Sequence, residues 1–428
     1  MRPVPDEALD PAALDATART WVDVDLNRIR ANLRAMAAML PEATGILMPV
    51  KANAYGHGLV PVSRAARAGG AWGLGIAALD EAEALRAAAV PGPIVCLMPI
   101  LPSEADRAVR LEVTPAITDW AQAEALAAAA CAAGREVPVH VEIDTGMGRA
   151  GVWDREAAHL LQRIDELQGL TLEGMFTHFA SADESERSYT EVQLDRFDAL
   201  LRALAERGIR PPCLHVANSA AALRFRGASR TLVRPGIALY GSVEEIARDT
   251  DHGTFEGGGG RGAEFDAEFD AEGFAPSLSW HARVVAIKDL RPGDPVSYHR
   301  RYHASGAERI ALLGVGYGDG WPFALSNRGR VLLRGRPVPI RGAVCMDLTM
   351  VDATPFPDLQ VGEVATLIGE QDGRSQSVAE VGRAAGLMSY AVLTGISERV
   401  RRRYRGGGKD RGGAHDLGGA SRSGGKTR

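Results

Sequence analysis

The sequence predicts an α/β domain followed by a smaller, mostly β domain. Up to about residue 242, short apolar runs alternate with stretches of helical periodicity at the spacing of a β/α repeat. From Ser277 to about Tyr404 the pattern changes to strands separated by Gly/Pro/Asp turns. Parallel strands joined by helices form either an α/β barrel or a doubly wound sheet, and the spacing alone leaves both open. The 428-residue length fits two or three units, because single cores stop growing near ~250–300 residues.

Each element has a local reason. Leu26, Ile29, Leu33, Met36 and Leu40 recur at three- and four-residue intervals, which places them on one face of a helix. Ile46 to Val50 then reads as a buried strand. Further helices are expected over Glu81 to Ala89, Trp120 to Ala133 and Val192 to Arg207, the last two stopped by Gly134 and Gly208. Between them lie candidate strands at Val137 to Ile143, Leu172 to Phe176 and Cys213 to Val216. In the second domain, Trp280, Ala282, Val284 and Ala286 alternate with polar neighbours, and Pro292-Gly293-Asp294 is a turn. Ile310 to Val315, Val331 to Leu333 and Val364 to Ile368 are further strands.

The resulting division is an N-terminal extension (1–20), an α/β domain (21–243), an insertion (244–276), a β domain (277–404) and a tail (405–428). Gly257 to Gly260 and a repeated Ala-Glu-Phe-Asp make the insertion read as a mobile linker. Its acidic flanks and the lack of a preceding strand argue against a phosphate-binding loop. The glycine-rich basic tail is expected to be disordered.

Composition narrows the function classes. Acidic residues number 54 against 49 basic, a balance with no global attraction for nucleic acid or an anionic membrane. No apolar run approaches the ~18 residues a membrane span needs, and Met1 to Asp10 lacks the basic start of a secretion signal. A cytoplasmic protein is expected. Cys96, Cys131, Cys213 and Cys345 lie far apart, so neither a disulfide framework nor a metal site is indicated.

Chemistry-bearing residues cluster where the apolar runs of the first domain end, which in an α/β barrel is the working face. Lys51 follows Met48-Pro49-Val50 directly, in Val50-Lys51-Ala52-Asn53-Ala54-Tyr55-Gly56-His57-Gly58. A lysine leaving a buried strand is partly desolvated, which favours the neutral amine needed for a Schiff base. The plainer reading is a lysine that snorkels to the rim. Further along come Asp144-Thr145-Gly146-Met147-Gly148-Arg149, Thr177-His178-Phe179, His215-Val216-Ala217-Asn218-Ser219 and Arg234-Pro235-Gly236-Ile237. A lone histidine is usually structural; two histidines, two arginines and a lysine at consecutive strand ends point to a site. Ser219 with the backbone of Gly236 and Ile237 suits a phosphate, as loops after late barrel strands often do.

On these motifs the sequence resembles the alanine racemase family from about Trp21 to Tyr404. Val296-Ser297-Tyr298, Gly316-Tyr317-Gly318-Asp319-Gly320, Cys345-Met346-Asp347 and Ser389-Tyr390 extend the resemblance, in order, through the second domain. It implies a TIM-type (β/α)8 barrel followed by the β domain, in a homodimer that binds pyridoxal 5'-phosphate and racemises a small amino acid. By the same resemblance Lys51 serves one face of the substrate and Tyr298 of the partner subunit the other. A phenol needs help to act as a base near neutrality, and His178, linked to Arg234, resembles that support. Arg234 would face the pyridine nitrogen and keep it largely unprotonated, with His215 as a further support. Tyr55, Ser219, Gly236, Ile237 and Tyr390 match cofactor-phosphate contacts, and Arg149 and Met346 match substrate-carboxylate contacts. Tyr317 and Asp347 are compatible with merely shaping the entrance.

The sequence departs from the family at three places. Many members carry a carbamylated lysine two residues before the aspartate of the Asp-Thr-Gly-Met-Gly-Arg motif; here the residue is Glu142, an anion that would compensate Arg149 without carbon dioxide. Phe323 stands after Pro322 where an arginine is common, and Ala391 replaces an acidic neighbour of Tyr390. The expected product is D-alanine for peptidoglycan. A racemase of other specificity such as serine, a pyridoxal-phosphate decarboxylase and a non-catalytic pyridoxal-phosphate-binding protein are the alternatives. Against the decarboxylase, a His-x-Gly-Ser segment and a glycine-rich phosphate loop are missing. Tyr298 on a full second domain argues against the other.

Overall fold

The structure, a computed structural model, describes residues 17–184, 186, 188–247 and 273–406. Most of the expected insertion and tail, and residues 1–16 of the expected extension, lie outside the described residues.

Eight parallel strands follow one another round the first sheet: Gly45–Pro49, Gly73–Ile76, Ile94–Pro99, Thr114–Ile117, Val137–Asp144, Leu170–Phe176, Cys213–His215 and Leu232–Val233. Leu232 and Val233 pair with Gly45 and Ile46, so the last strand meets the first and the sheet closes. A barrel, rather than an open doubly wound sheet, is therefore the architecture. Helices such as Leu26–Met39, Trp120–Ala132 and Ser188–Glu206 surround it. The first of these buries Leu26, Ile29, Leu33 and Met36, the face its periodicity predicts. Asp25 caps it, with Oδ1 accepting from the amides of Asn27 and Arg28 at 2.9 and 3.3 Å.

The second sheet has nine strands centred on the 13-residue strand Leu278–Leu290. That strand pairs antiparallel with Val364–Gln371, Glu308–Leu313 and Thr20–Asp25. The sequence reading begins the barrel at residue 21, yet Thr20–Asp25 joins the β domain. Its other edge pairs in parallel with the final strand, Arg401–Arg405. Both ends of the described chain therefore lie in one sheet, for which alternation within a six-residue strand gives no sign, because it shows burial but not the partner.

The first helix is tied to the end of the barrel domain and to the segment that leads into the β domain. Buried Asn32 donates to the carbonyls of Leu239 and Ala275 and accepts from the Ala275 amide, all at 3.0 Å. On the far side, Arg402 donates to the carbonyl of Gly56 at 3.1 Å. The turn that carries Lys51 is thus braced by the β domain.

Candidate active site

Lys51 stands at the carboxyl end of Gly45–Pro49, and the chain turns there in an unusual way. Ala52, Asn53, Ala54 and Tyr55 have φ of 54°, 54°, 52° and 51°, a left-handed turn of four non-glycine residues. Each such residue costs ~1–2 kcal/mol, so the surroundings must hold the turn in place. Glu81 accepts from the Ala52 amide at 2.6 Å, and Asn53 Oδ1 accepts from the Leu59 amide at 2.8 Å. Gly56 lets the turn approach the β domain: a Cβ there would lie 2.1 Å from the Leu393 carbonyl oxygen. Burial, reinforced by Arg149 and Arg234, lowers the Lys51 ammonium below its ordinary range.

Arg234 leaves the last barrel strand and is 5% exposed. Its guanidinium donates to His215 Nδ1 at 2.8 Å, to the carbonyls of His215 and Thr177 at 2.5 and 2.7 Å, and to His178 Nδ1 at 3.3 Å. Burial pulls Arg234 down to about 10, so it remains a cation at neutral pH. Burial and then Arg234 pull His178 down to about 3, and the same causes take His215 well below the usual imidazole range. Since arginine only donates, both histidines are neutral acceptors at Nδ1.

On the barrel strand Val137–Asp144, residues 140, 142 and 144 share one face by the period of two, and all three are buried. Asp144 Oδ1 accepts from the amides of Gly146 and Gly148 at 2.8 and 3.1 Å, which shapes the loop that presents Arg149. Glu142 is 3% exposed and its Oε2 has no hydrogen-bond partner among the described residues. Burial raises its carboxyl, with Arg149 and Arg234 opposing the shift.

Ser219, Gly236 and Ile237 line the same cavity as Glu142 and Arg149. Ser219 Oγ accepts from the Ala238 amide at 3.2 Å, beside the turn that begins at Gly236 and Ile237. The first amides of such a turn have no partner within it and face outward. Tyr55 packs over Gly236 so closely that a Cβ there would sit 2.6 Å from its hydroxyl. Tyr240 stacks on Tyr55 at 4.8 Å, and Tyr390 leans on it at 5.9 Å. Burial raises Tyr55 to about 12, which keeps it a neutral hydroxyl donor. Lys51, Tyr55, Glu142, Arg149, His178, Ser219, Arg234, Gly236, Ile237 and Tyr390 all line one cavity of about 1140 Å³.

Comparison with known proteins finds relatives over both domains. Residues 24–244 match the family model described as alanine racemase, N-terminal domain, and residues 277–404 match alanine racemase, C-terminal domain. The chain belongs to the alanine racemase family. A curated alanine racemase from Halothermothrix orenii is 37% identical over 391 residues, covering 91% of this chain and 97% of that protein. The crystal structure of alanine racemase from D-cycloserine-producing Streptomyces lavendulae is 32% identical with a TM-score of 0.82, covering 91% and 98% of the two chains. The Bartonella henselae alanine racemase, solved with covalently bound pyridoxal phosphate, is 26% identical with a TM-score of 0.77, covering 91% of this chain and all (100%) of that one.

Against that family background, the residues fit a phosphorylated aldehyde cofactor. A desolvated amine, a concavity bounded by Ser219 and Gly236, and a buried arginine surround one space of sufficient size. Three residues assigned from sequence are absent from its lining: His215 lies fully buried behind Arg234, and the other two are on the β domain. Tyr298 is 69% exposed and Met346 52% exposed, and neither lines the cavity of its own chain. They lie on tied segments: Ser297 Oγ donates to the Ala343 carbonyl at 2.7 Å and contacts Cys345 Sγ at 3.3 Å. Ser297 and His299 flank Tyr298 with φ of 65° and 57°, a strained presentation of the tyrosine.

Sequence reading missed three buried or bracing groups: Glu81, His140 and Glu173. Strand periodicity was a usable signal for His140, two residues before Glu142. Glu173 gave no signal, because its partner is 33 residues away; Glu81 caps its own helix through the Ala77 and Ala78 amides at 2.8 and 3.3 Å, and only its bond to Ala52, 29 residues away, was hidden.

Proposed function

We propose that the protein interconverts L- and D-alanine with pyridoxal 5'-phosphate, using Lys51 and Tyr298 of a second copy as the two bases. The observation that supports this best is the convergence of Lys51, Arg149, His178 and Arg234 on one cavity at the barrel mouth. Lys51 would hold the cofactor aldehyde, Ser219, Gly236, Ile237, Tyr55 and Tyr390 its phosphate, and Arg234 its ring nitrogen. Bound there, the cofactor supplies an electron-accepting ring that makes the α-proton of an amino acid removable.

The remaining work falls to the chain. Lys51, lowered by burial, takes or returns a proton at Nζ on one side. Tyr298 of a second copy does the same at its phenol oxygen on the other, which accounts for its exposure in the single chain. His178 keeps Nδ1 toward Arg234 and so offers its Nε2 proton to that phenol oxygen. Arg149 and Met346 hold the substrate carboxylate, and Glu142 balances Arg149 within the cavity. A homodimer follows, because one chain supplies only one base to each cavity. Supply of D-alanine for peptidoglycan in the cytoplasm is part of this reading. No helix among the described residues is long and apolar enough to cross a membrane.

The test is purified protein with pyridoxal phosphate and a panel of L-amino acids, followed by chiral analysis. D-Alanine should appear well ahead of D-serine and the rest. Carbon dioxide release would instead identify a decarboxylase. A persistent cofactor absorbance without exchange of the α-proton in heavy water would identify a binding protein.

A further inference from the structure

Behind Arg234 a row of polar side chains links three neighbouring barrel strands, Cys213–His215, Leu170–Phe176 and Val137–Asp144. His215 Nε2 lies 2.8 Å from His140 Nδ1, and His140 Nε2 lies 3.1 Å from Glu173 Oε2. Both imidazoles are fully buried, whereas the Glu173 side chain is 31% exposed. Space is reserved for the row. A Cβ on Gly174 would lie 2.5 Å from His140 Cδ2, and Phe176 stacks on the His215 ring at 4.7 Å and 10°.

Donor and acceptor chemistry permits one direction only. Arg234 has no acceptor, so His215 must present a bare Nδ1 and, being neutral, carry its proton on Nε2. That proton points at His140 Nδ1, which must therefore be bare, and the His140 proton sits on Nε2 facing the Glu173 carboxylate. Reversing either ring sets two N–H groups against each other at 2.8 Å. Among the described residues, Arg234 has no hydrogen bond to a carboxylate of its own. The chain of bonds supplies one at a distance.

We propose that His140 and Glu173 are positioning residues for Arg234, forming with His215 a one-way hydrogen-bond chain that ties the buried guanidinium to a carboxylate on the intervening strand Leu170–Phe176. Each bond polarises the next, strengthening His215 as an acceptor by ~10–30% per bond. The guanidinium is held as a rigid cation aimed into the cavity. Its role toward the ring nitrogen rests on the function proposed above; the direction of the chain does not.

The direct test uses cofactor-free protein labelled with 15N-histidine, with resonances assigned by the His140→Gln variant. Both His140 and His215 should be neutral, bare at Nδ1 and protonated at Nε2. In Glu173→Gln the amide oxygen still accepts, so the tautomers should persist while the His215 Nε2 proton moves upfield as its bond weakens. A proton on Nδ1 of either ring, a doubly protonated ring, or an unmoved His215 proton overturns the chain. In the loaded enzyme, Glu173→Gln should lower kcat on the order of tenfold with KM and melting temperature little changed, the scale on which altering an outer-shell hydrogen-bond partner acts on the group it orients. An unchanged kcat with a shifted His215 proton overturns the positioning role and leaves the racemase reading intact. Absence of racemisation by the parent protein removes that reading, and the tautomers still decide the chain.

Discussion

Lys51 and Tyr298 occupy opposite environments, one lowered by burial in the cavity and the other 69% exposed on the β domain. If a second copy brings them together, Tyr298→Phe should cut α-proton abstraction from one enantiomer of alanine far more than from the other. Isotope exchange followed separately from L- and D-alanine reads this; full activity in both directions removes Tyr298 from the mechanism. Glu142 carries a different signature. Its folded carboxyl is raised above the unfolded value, so it leaves the fold unharmed while protonated and costs stability as pH rises through and above the ordinary carboxylate range. Glu142→Gln should therefore raise the melting temperature of the cofactor-free protein at pH 7.5 and change it little at pH 4. The same variant should lose racemisation on the order of tenfold, about 1.4 kcal/mol, if its charge balances Arg149. Unchanged kinetics would retire that role.

The left-handed turn at 52–55 is the element on which the site depends. Ala52 is exposed and sits at φ 54°, ψ 52°, so Ala52→Gly relieves steric strain while adding some unfolded-chain entropy. A net gain of up to about 1 kcal/mol is expected in urea unfolding. Gly56→Ala is the reverse case. It puts a Cβ against the Leu393 carbonyl at φ +79° and should cost about 1–3 kcal/mol together with cofactor affinity. A Gly56→Ala protein that melts like the parent would show that the turn is not clamped by the β domain.

At the scale of the whole molecule, the strand Thr20–Asp25 couples the domains by leaving the β sheet directly into the first barrel helix. Arg403 donates from Nε and Nη2 to the two carboxylate oxygens of Asp23, each at 2.7 Å. Burial works to raise Asp23, but Arg403, joined by His281 and the Trp21 indole, outweighs it and holds the carboxyl below the ordinary range. The pair's contribution is complete above the unfolded carboxylate value and is lost as pH falls through the lowered one. Asp23→Ala should cost about 2 kcal/mol at pH 7 and visibly less at pH 3, measured by denaturant titration at both. Equal losses would assign the effect to packing.

Local pattern was enough for much of this protein. The helical face of Leu26, Ile29, Leu33 and Met36, the strand before Lys51 and the switch to short β elements after Ser277 are all encoded in the spacing of neighbours. So are Lys51, His178, His215 and Arg234, because barrel geometry puts strand ends at one mouth. Short strands such as Gly73–Ile76 and Leu232–Val233 escaped, since four or two residues carry too little periodicity. Closure of the barrel, the partner of Thr20–Asp25, the bracing of the turn by Glu81, and the row from Arg234 to Glu173 required tertiary structure. Each joins atoms far apart in the chain, and a hydrogen bond depends on where two groups meet in space rather than on what stands beside either in sequence.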